Sequence, residues 1–386
     1  MAKKLLNMKV LKTAVRVLFF LSIACFSSGL MMTKDNQWEI GGSKDPYDNG
    51  GYYGDSQGGG ADIGAPSSAG VVYELSADGS YALVISYTGN ATHVGVDATY
   101  QGKPVTTIYK DAFYNNDTIV AVTLPEGVTT IHNAAFNGCW RLTTINLPAS
   151  VTDIGPSAFP SELLTSYNNC LYMGASGNPY FALIETESQN YSSYTIHPNT
   201  KIIAEQAFSG CERLQSVTVP GSVTHIGNSA FASLENLQSV TISNGVTHIG
   251  DYAFGWCQNL ESVTISSGVT HIGNGAFNSC QNLESVTIPG SVTHIGAEAF
   301  GWCQNLESVT ISNGVTHIGD MAFYCCSKLQ SVTIPGSVTH IGAEAFAVTN
   351  DLNVKYRGSE AQWNAIVKGE NWAEDDTTVT YNYTGS

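Results

Sequence analysis

Positive charge is scarce in this sequence, and clusters of lysine and arginine are absent after the first 25 residues. Of 386 residues, 16 are Lys or Arg and 32 are Asp or Glu, which gives a formal net charge of −16 at pH 7. Five basic residues and no acidic ones lie in the first 25 positions, so the remaining chain carries 11 − 32 = −21. Binding to nucleic acid or to an anionic membrane surface depends on clustered Lys and Arg. We therefore expect no nucleic-acid partner.

The sequence also lacks the short motifs that carry catalysis. It has no phosphate-binding Walker loop, no G-x-S-x-G, no H-E-x-x-H and no isolated pair of Cys and His. Ser, His and Asp recur instead at identical spacings, whereas catalysis needs one asymmetric pocket. We therefore expect a protein that is not an enzyme and needs no cofactor. A hydrolase is the alternative only if Cys170, Glu185 or Glu187 faces a deep pocket.

A phrase that returns every 23 residues fills most of the chain, and an Ala-Phe pair marks it. The step from Phe159 to Phe208 is 49 residues, or two periods plus three, and every other step is 23. The marking phenylalanines are Phe113, Phe136, Phe159, Phe208, Phe231, Phe254, Phe277, Phe300, Phe323 and Phe346. A fixed period of this length indicates a solenoid, in which each unit buries its apolar side against its neighbours.

The unit around Phe254 shows how one coil is encoded. Alternating β-branched residues over 260–265 predict a strand, and Ser, Gly, Pro or Asn at 266–268 and its equivalents predict a turn. Residues 269–272 predict a second, shorter extended piece. The spacing of Ala253, Phe254 and Cys257 predicts a short helical arc.

The pattern L-x-x-V-x-I-P-x-S-V-T-x-I-G-x-x-A-F-x-x-C resembles the BspA-like class of bacterial leucine-rich repeats. The resemblance implies a capped solenoid of about eleven coils, built as strand, turn and short helical arc, with a parallel β-sheet on one face. It implies an N-terminal β-hairpin cap over 71–108, repeats over 109–350 interrupted by an insertion at 160–195, and a C-terminal cap over 351–386. It also implies a non-enzymatic, adhesin-like protein that is surface-exposed or secreted.

The N-terminus is typical of an exported protein. Five basic residues precede the apolar run 17–24, which is too short to span a bilayer and therefore predicts a signal segment over 1–25. The sequence Leu21-Ser-Ile-Ala-Cys25 fits a loose lipobox, so Cys25 is a candidate for lipidation and membrane anchoring. The alternative is ordinary cleavage after Ser28 or Gly29. Residues 26–70 are rich in Gly, Asp and Ser and predict a flexible tether.

Nine cysteines in an exported chain would ordinarily suggest disulfides, but their spacing argues for buried thiols. Six of them stand three residues after a marking phenylalanine, at positions 139, 211, 257, 280, 303 and 326. Leu234 occupies the same register, so the position is a small apolar site in the core. Cys170 and Cys325 fall outside this register and are the candidates for reaction or pairing.

Histidine is periodic too, because V-T-H-I-G recurs in six coils, at His225, His248, His271, His294, His317 and His340. These side chains should form an outward stripe with neighbours about 5 Å apart. Adjacent imidazoles offer loose binding of Zn²⁺ or Ni²⁺, or a response to pH. The alternative is that duplication copied one solvent-facing residue, and we predict no dedicated metal site.

Two surfaces are candidates for recognition of an extracellular protein or glycan. One is the ladder of outward strand residues, Ser216, Thr218, Ser239, Thr241, Ser262, Thr264, Ser285, Thr287, Ser308, Thr310, Ser331 and Thr333. The other is the insertion, where Gly177-Asn178-Pro179 predicts a projecting hairpin that carries Tyr172, Tyr180 and Phe181. The alternative function is a structural spacer without a specific ligand.

Overall fold

The computed structural model describes residues 30–32, 38–40, 65–175, 177–349 and 351–385. The predicted signal segment, with Cys25, and most of the predicted tether lie outside the described residues. Two short strands of the N-terminal unit, β1 (Leu30–Met32) and β2 (Trp38–Ile40), pair antiparallel. The second unit begins at Asp62 and runs to the end of the chain.

The second unit starts with an antiparallel hairpin of β3 (Val71–Leu75) and β4 (Ala82–Tyr87). β4 then pairs in parallel with β7 (Lys103–Ile108), and each later coil adds a parallel strand to the same edge of the sheet. The next strands are β5 (His93–Gly95), β6 (Thr99–Tyr100), β7 (Lys103–Ile108), β8 (Ala121–Thr123), β9 (Thr130–Ile131), β10 (Thr144–Asn146) and β11 (Asp153–Ile154). β6 pairs antiparallel with β7, and the other six form two parallel ladders, β7-β9-β11 and β5-β8-β10.

The insertion contributes β12 (Thr165–Tyr167), β13 (Cys170–Ala175) and β14 (Asn178–Thr186), all antiparallel, before parallel pairing resumes at β15 (Ile202–Ile203). The hairpin is therefore present, but it does not project, because β14 continues directly into the parallel sheet. Tyr172 and Leu183 belong to the hydrophobic cluster of the later coils, whereas Met173 and Phe181 belong to that of the earlier coils. The hairpin thus lies between two cores.

This placement corrects the role predicted for Tyr172 and Phe181. Tyr172 is fully buried and Phe181 is 8% exposed, so neither side chain can serve as a direct contact for a ligand. The hydroxyl of Tyr172 accepts a hydrogen bond from the backbone N–H of His197 at 3.1 Å. Residues 181–184 of β14 are continuously buried because this strand lies between β13 and β15 and contributes side chains to both clusters.

Each later coil contributes two strands, one from S-V-T-I and one from H-I. In chain order these are β16 (Ser216–Val219), β17 (His225–Ile226), β18 (Ser239–Ile242), β19 (His248–Ile249), β20 (Ser262–Ile265), β21 (His271–Ile272), β22 (Ser285–Ile288), β23 (His294–Ile295), β24 (Ser308–Ile311), β25 (His317–Ile318), β26 (Ser331–Ile334) and β27 (His340–Ile341). Identical residues pair along both series, for example Ser216 with Ser239 and His225 with His248. The predicted sheet is accompanied by a second one, and the solenoid has about 13 turns instead of eleven.

The arc between the two strands is not helical, contrary to the sequence prediction. Each arc of the later coils contains two residues in the left-handed region, such as Tyr252 at φ 53° and Trp256 at φ 59°. A right-handed helix excludes positive φ, so the arc is a pair of tight turns. The backbone N–H of Phe254 donates instead to the carbonyl of Ala276 in the next coil, at 2.8 Å.

The chain ends in β28 (Asn353–Tyr356), α1 (Glu360–Ala365), β29 (Val367–Lys368) and β30 (Thr378–Thr380). Ser359 starts α1 with a capping box to Gln362. Trp363 is buried, and its ring lies 5.0 Å from that of Tyr356, so the helix covers the apolar end of the core. None of the helices among the described residues is long and apolar enough to cross a membrane.

The marking phenylalanines form a continuous stack inside the later coils. Seven rings from Phe208 to Phe346 lie nearly parallel, with centroids 4.5 to 5.4 Å apart. Beside them, the thiol of Cys257 donates to the carbonyl of Phe231 at 3.2 Å, and the register repeats this contact in other coils. The described cysteines are all free thiols, and those of the register are buried, as predicted.

Candidate binding surfaces

The Ser/Thr ladder follows β16-β18-β20 and then β22-β24-β26 and is held by parallel pairing. Its hydroxyls point outward because the Val and Ile between them, such as Val240 and Ile242, are buried. The exposed members are Ser216, Thr218, Thr241, Ser262, Thr264, Ser285, Thr287 and Ser308, and the half-buried members are Ser239, Thr310, Ser331 and Thr333. The pairing is interrupted between β20 and β22, where Val263 and Ile265 are half-buried instead of buried.

The ladder hydroxyls are almost all available to a ligand. Among the described residues, Ser331 alone in this set has a protein partner, the ammonium of Lys355 at 3.4 Å. A serine or threonine hydroxyl can both donate and accept, so each coil offers two adaptable, uncharged hydrogen-bonding groups. The surface therefore presents the same pair of hydroxyls on each coil, and each contact with a ligand is weak.

The second ladder carries the histidine stripe, which lies outward as expected. Neighbouring imidazoles stack with centroids 4.3 to 4.5 Å apart. The stack has two groups of three rings, one from His225 to His271 and one from His294 to His340. Burial, followed by the charge of His248, lowers the pKa of His225 to about 4.

Hydrogen bonds fix the tautomer of these imidazoles in five of the six coils, His294 being the exception. Beside His248, for example, Thr247 donates its hydroxyl hydrogen to the carbonyl of Thr224 at 3.0 Å, and the hydroxyl oxygen of Thr247 lies 2.8 Å from Nδ1 of His248. Because that hydroxyl hydrogen is already used, the threonine oxygen accepts and Nδ1 carries the ring hydrogen. Nε2 is then left with a lone pair. In the described part of the chain, no group of three or more His, Cys, Asp or Glu is arranged to hold a metal.

The two ladders and the 23-residue register are the features by which the family is identified. The model of the BspA-type leucine-rich repeat region matches in six copies, over residues 98–172, 186–304 and 270–360. The chain belongs to this family. No curated protein matches the sequence.

Solved structures of bacterial leucine-rich repeat proteins are similar to this BspA-type chain. A leucine-rich cell surface protein from Faecalibacterium prausnitzii is 26% identical, with 78% of this chain and 97% of that chain covered and a TM-score of 0.34. The leucine-rich repeat protein of T. pallidum is 25% identical, with 63% and 91% covered and a TM-score of 0.28. One from Bacteroides ovatus is 19% identical, with 81% and 98% covered and a TM-score of 0.28.

The insertion of this BspA-type protein presents less surface than predicted. Tyr180 is half-buried, and its ring stacks on His197 with centroids 3.8 Å apart. Tyr167 contacts the same two rings, so the group is a packed aromatic cluster. Cys170 is fully buried, and burial raises the pKa of its thiol to about 12, which keeps it protonated and unreactive at neutral pH.

Sequence reasoning missed a concavity on the arcs of the first coils. It has a volume of about 740 Å³ and lies beside Tyr114, whose side chain is 52% exposed. Its other lining residues include Asp111, Asn133, Asn137 and Ser157. The signal that pointed to it was the departure of Ala134 and Pro156 from the residue types found in later coils.

Proposed function

We propose that this BspA-type protein is exported and binds an extended extracellular macromolecule, a protein or a glycan, along the Ser/Thr ladder without catalysis. The observation that carries the proposal is the register of the ladder, in which identical hydroxyls such as Thr241 and Thr264 lie on adjacent strands. Membership of the repeat family supports a binding role. A ligand with its own repeat can meet equivalent groups on each coil.

The expected affinity follows from the chemistry of the ladder. Strand neighbours lie about 4.8 Å apart, and one hydrogen bond contributes a net 0.5 to 1.5 kcal/mol or so. The ladder lacks the Trp, Tyr and Arg that usually dominate interfaces. A short ligand should therefore bind weakly, and the affinity should rise with the length of ligand that lies across several coils.

The test is binding of the full chain to a panel of extracellular matrix proteins and glycans. Thr241→Arg with Thr264→Arg places two long side chains on the ladder and should weaken binding at least about tenfold. Gln258→Arg with Gln304→Arg adds the same charge at exposed positions outside the ladder and should leave binding unchanged. A chain that binds nothing on the panel and only associates with itself is a structural spacer instead.

Removing the insertion is not a clean test of selectivity. Its strands contribute to both hydrophobic clusters, so deletion would remove core residues such as Ala182 and Leu183 and uncover Ile202 and Ile203, which pair with them. Selectivity by the insertion is therefore better tested at its surface. Tyr191, which is 43% exposed, is the accessible aromatic residue there.

Anchoring through Cys25 is part of the same proposal. The lipobox-like sequence before Cys25 supports a lipid anchor, with the protein held at the outer membrane or cell surface. In the producing cell, Cys25→Ala should move the protein from membrane fractions to soluble ones. Unchanged fractionation, or a mature N-terminus found downstream of residue 25 by mass spectrometry, would contradict anchoring through Cys25.

A further inference from the structure

The concavity on the arcs of the first coils is a site of a different kind from the Ser/Thr ladder. We call it the first-arc cleft, and its volume is about 740 Å³. Six of its lining residues are Asp111, Tyr114, Asn133, Ala134, Asn137 and Ser157. The lining thus combines one aromatic ring with a carboxylate, two amides and a hydroxyl.

The cleft exists because one position of the arc is small. Ala134 occupies the left-handed position of its arc, with φ 52°. In later coils the same register mostly holds larger residues, for example Gln206, Tyr252 and Glu298, all with φ near 55°. Ser229 and Gly275 are the small exceptions, and the ring of Tyr252 occupies the space beside Gly275. An alanine there leaves the space between the flanking arcs open.

The amide of Asn133 is free because of a proline in the next coil. In later coils, the side-chain oxygen at this register accepts the backbone N–H of the residue 23 positions on, as Asn228 does from Asp251 at 2.8 Å. Asp251 accepts from Asn274 in the same way, at 2.7 Å. Residue 23 positions after Asn133 is Pro156, which has no N–H to donate. The side-chain amide of Asn133 is therefore left for another partner.

The other polar side chains of the cleft are uncommitted as well. Among the described residues, Asp111, Asn133, Asn137 and Ser157 make no side-chain hydrogen bond to another protein group. Tyr114 adds a ring that is more than half exposed. Convergent, unpaired polar groups beside an accessible ring favour a ligand with both hydroxyl groups and an apolar face.

We propose that the first-arc cleft binds a neutral saccharide. A pyranose presents C–H bonds on one face, which suit the ring of Tyr114, and hydroxyls on its edge, which suit the amides and the carboxylate. The Asp111 carboxylate and the surplus of 16 negative charges on the chain disfavour a sulfated or carboxylated glycan. The cleft is separate from the Ser/Thr ladder, so this site goes beyond the function proposed above.

The test is saturation-transfer NMR on the tag-free full chain with four neutral probes: maltotetraose, cellotetraose, chitotetraose and α-mannotetraose. At least one should bind, and a sulfated heparin tetrasaccharide should bind more weakly than that probe. Tyr114→Ala should weaken binding by about three- to tenfold, since stacking on an aromatic face carries interactions of this size. Tyr81→Ala removes an exposed ring that does not line the cleft and should have no effect.

Ala134→Gln fills the cleft with a residue that the fold already accepts. Gln206 precedes Ser229 in the same register in which Ala134 precedes Ser157, so the substitution has a precedent and should leave the melting temperature nearly unchanged. Binding of the saccharide should be lost. Retained binding in Ala134→Gln, unchanged binding in Tyr114→Ala, preference for the heparin probe, or no binding of any neutral probe would overturn the proposal.

Pro156→Ala tests the argument about Asn133 directly. It restores an N–H that the side chain of Asn133 can reach, as in later coils, and should withdraw that amide from the ligand. A loss of about three- to tenfold is expected, equal to that of Asn133→Ala, and the double variant should lose no more. Unchanged binding in Pro156→Ala alone would overturn the role of Asn133. Binding to the cleft should persist in Thr241→Arg with Thr264→Arg, so its failure is distinguishable from failure of the ladder proposal.

Discussion

Phe277 is the side chain whose replacement most clearly tests how the coils are held together. It is fully buried, and its ring lies between those of Phe254 at 5.3 Å and Phe300 at 5.2 Å, both nearly parallel to it. Burial of a phenylalanine is worth about 3 to 5 kcal/mol against alanine. Each aromatic pair adds about 0.5 to 1.5 kcal/mol beyond the buried area.

Phe277→Leu separates the stacking from the burial. Leucine keeps most of the apolar volume but removes two aromatic pairs, so the free energy of unfolding should fall by about 2 to 4 kcal/mol. Phe159 is the matched control, since it is 4% exposed and has one stacked partner among the described residues, Phe136 at 5.9 Å. Phe159→Leu should cost less by roughly 0.5 to 1.5 kcal/mol, the value of one pair. Equal losses in the two variants, measured by denaturant unfolding, would show that the stack adds nothing beyond burial.

Three further outcomes follow from particular positions. Gly245 has φ 126°, and a Cβ there would lie 1.9 Å from the carbonyl oxygen of Gly221, whereas Gly79 has φ 68° and nothing within 4 Å of a Cβ. Gly245→Ala should therefore lower the melting temperature far more than Gly79→Ala. Equal shifts in the two variants would contradict the clash. Alkylation of the native chain, followed by mass spectrometry, should label Cys325 before any other described cysteine, because its thiol is half-buried and the others are buried. Burial also raises the pKa of Cys325, so labelling should be slow. Rapid labelling at Cys257 would refute the packing. Because the pKa of His225 lies at about 4 in the folded chain and near 6.5 when unfolded, the free energy of unfolding should fall as pH decreases through this window. His225→Asn should remove about 1 to 2 kcal/mol of that fall, after allowance for solvent screening of a half-buried group, and parallel pH curves for the two proteins would contradict this.

The period of the sequence was sufficient to predict the solenoid and its buried register. A 23-residue repeat with Val and Ile alternating around Ser and Thr specifies which side of each strand is buried, and Val240 and Ile242 are buried accordingly. The arc was predicted wrongly because the spacing of Ala253, Phe254 and Cys257 suits a helical turn and a pair of tight turns equally. Left-handed backbone is signalled by glycine, but here Tyr252 and Trp256 adopt it.

The insertion carried a signal that residues 181–184 of β14 are buried on both faces. The run from Tyr180 to Ile184 is continuously apolar, which is typical of a strand covered on two sides and not of an exposed hairpin. Its turn at Gly177 gave the hairpin correctly, with φ 74°. The burial of Tyr172 and Phe181 depends on tertiary packing of two cores, which a local turn signal does not contain.

The two candidate sites differ in how far the sequence reveals them. The Ser/Thr ladder follows from strand alternation, so its outward members were predictable one by one. The first-arc cleft depends on the small side chain of Ala134 and on the missing N–H of Pro156. Such absences acquire meaning only when the neighbouring coils are known in space.

The ladder proposal is tested most directly by threonine-methyl NMR of the full chain during titration with the tightest-binding ligand from the matrix-protein and glycan panel. We expect the methyl signals of Thr218, Thr241 and Thr264 to shift, because these side chains are exposed on the ladder. Those of Thr247 and Thr270, which lie beside the histidine stripe, should stay in place. Shifts confined to Thr247 and Thr270, or a chain that binds no ligand on the panel, would contradict binding along the ladder.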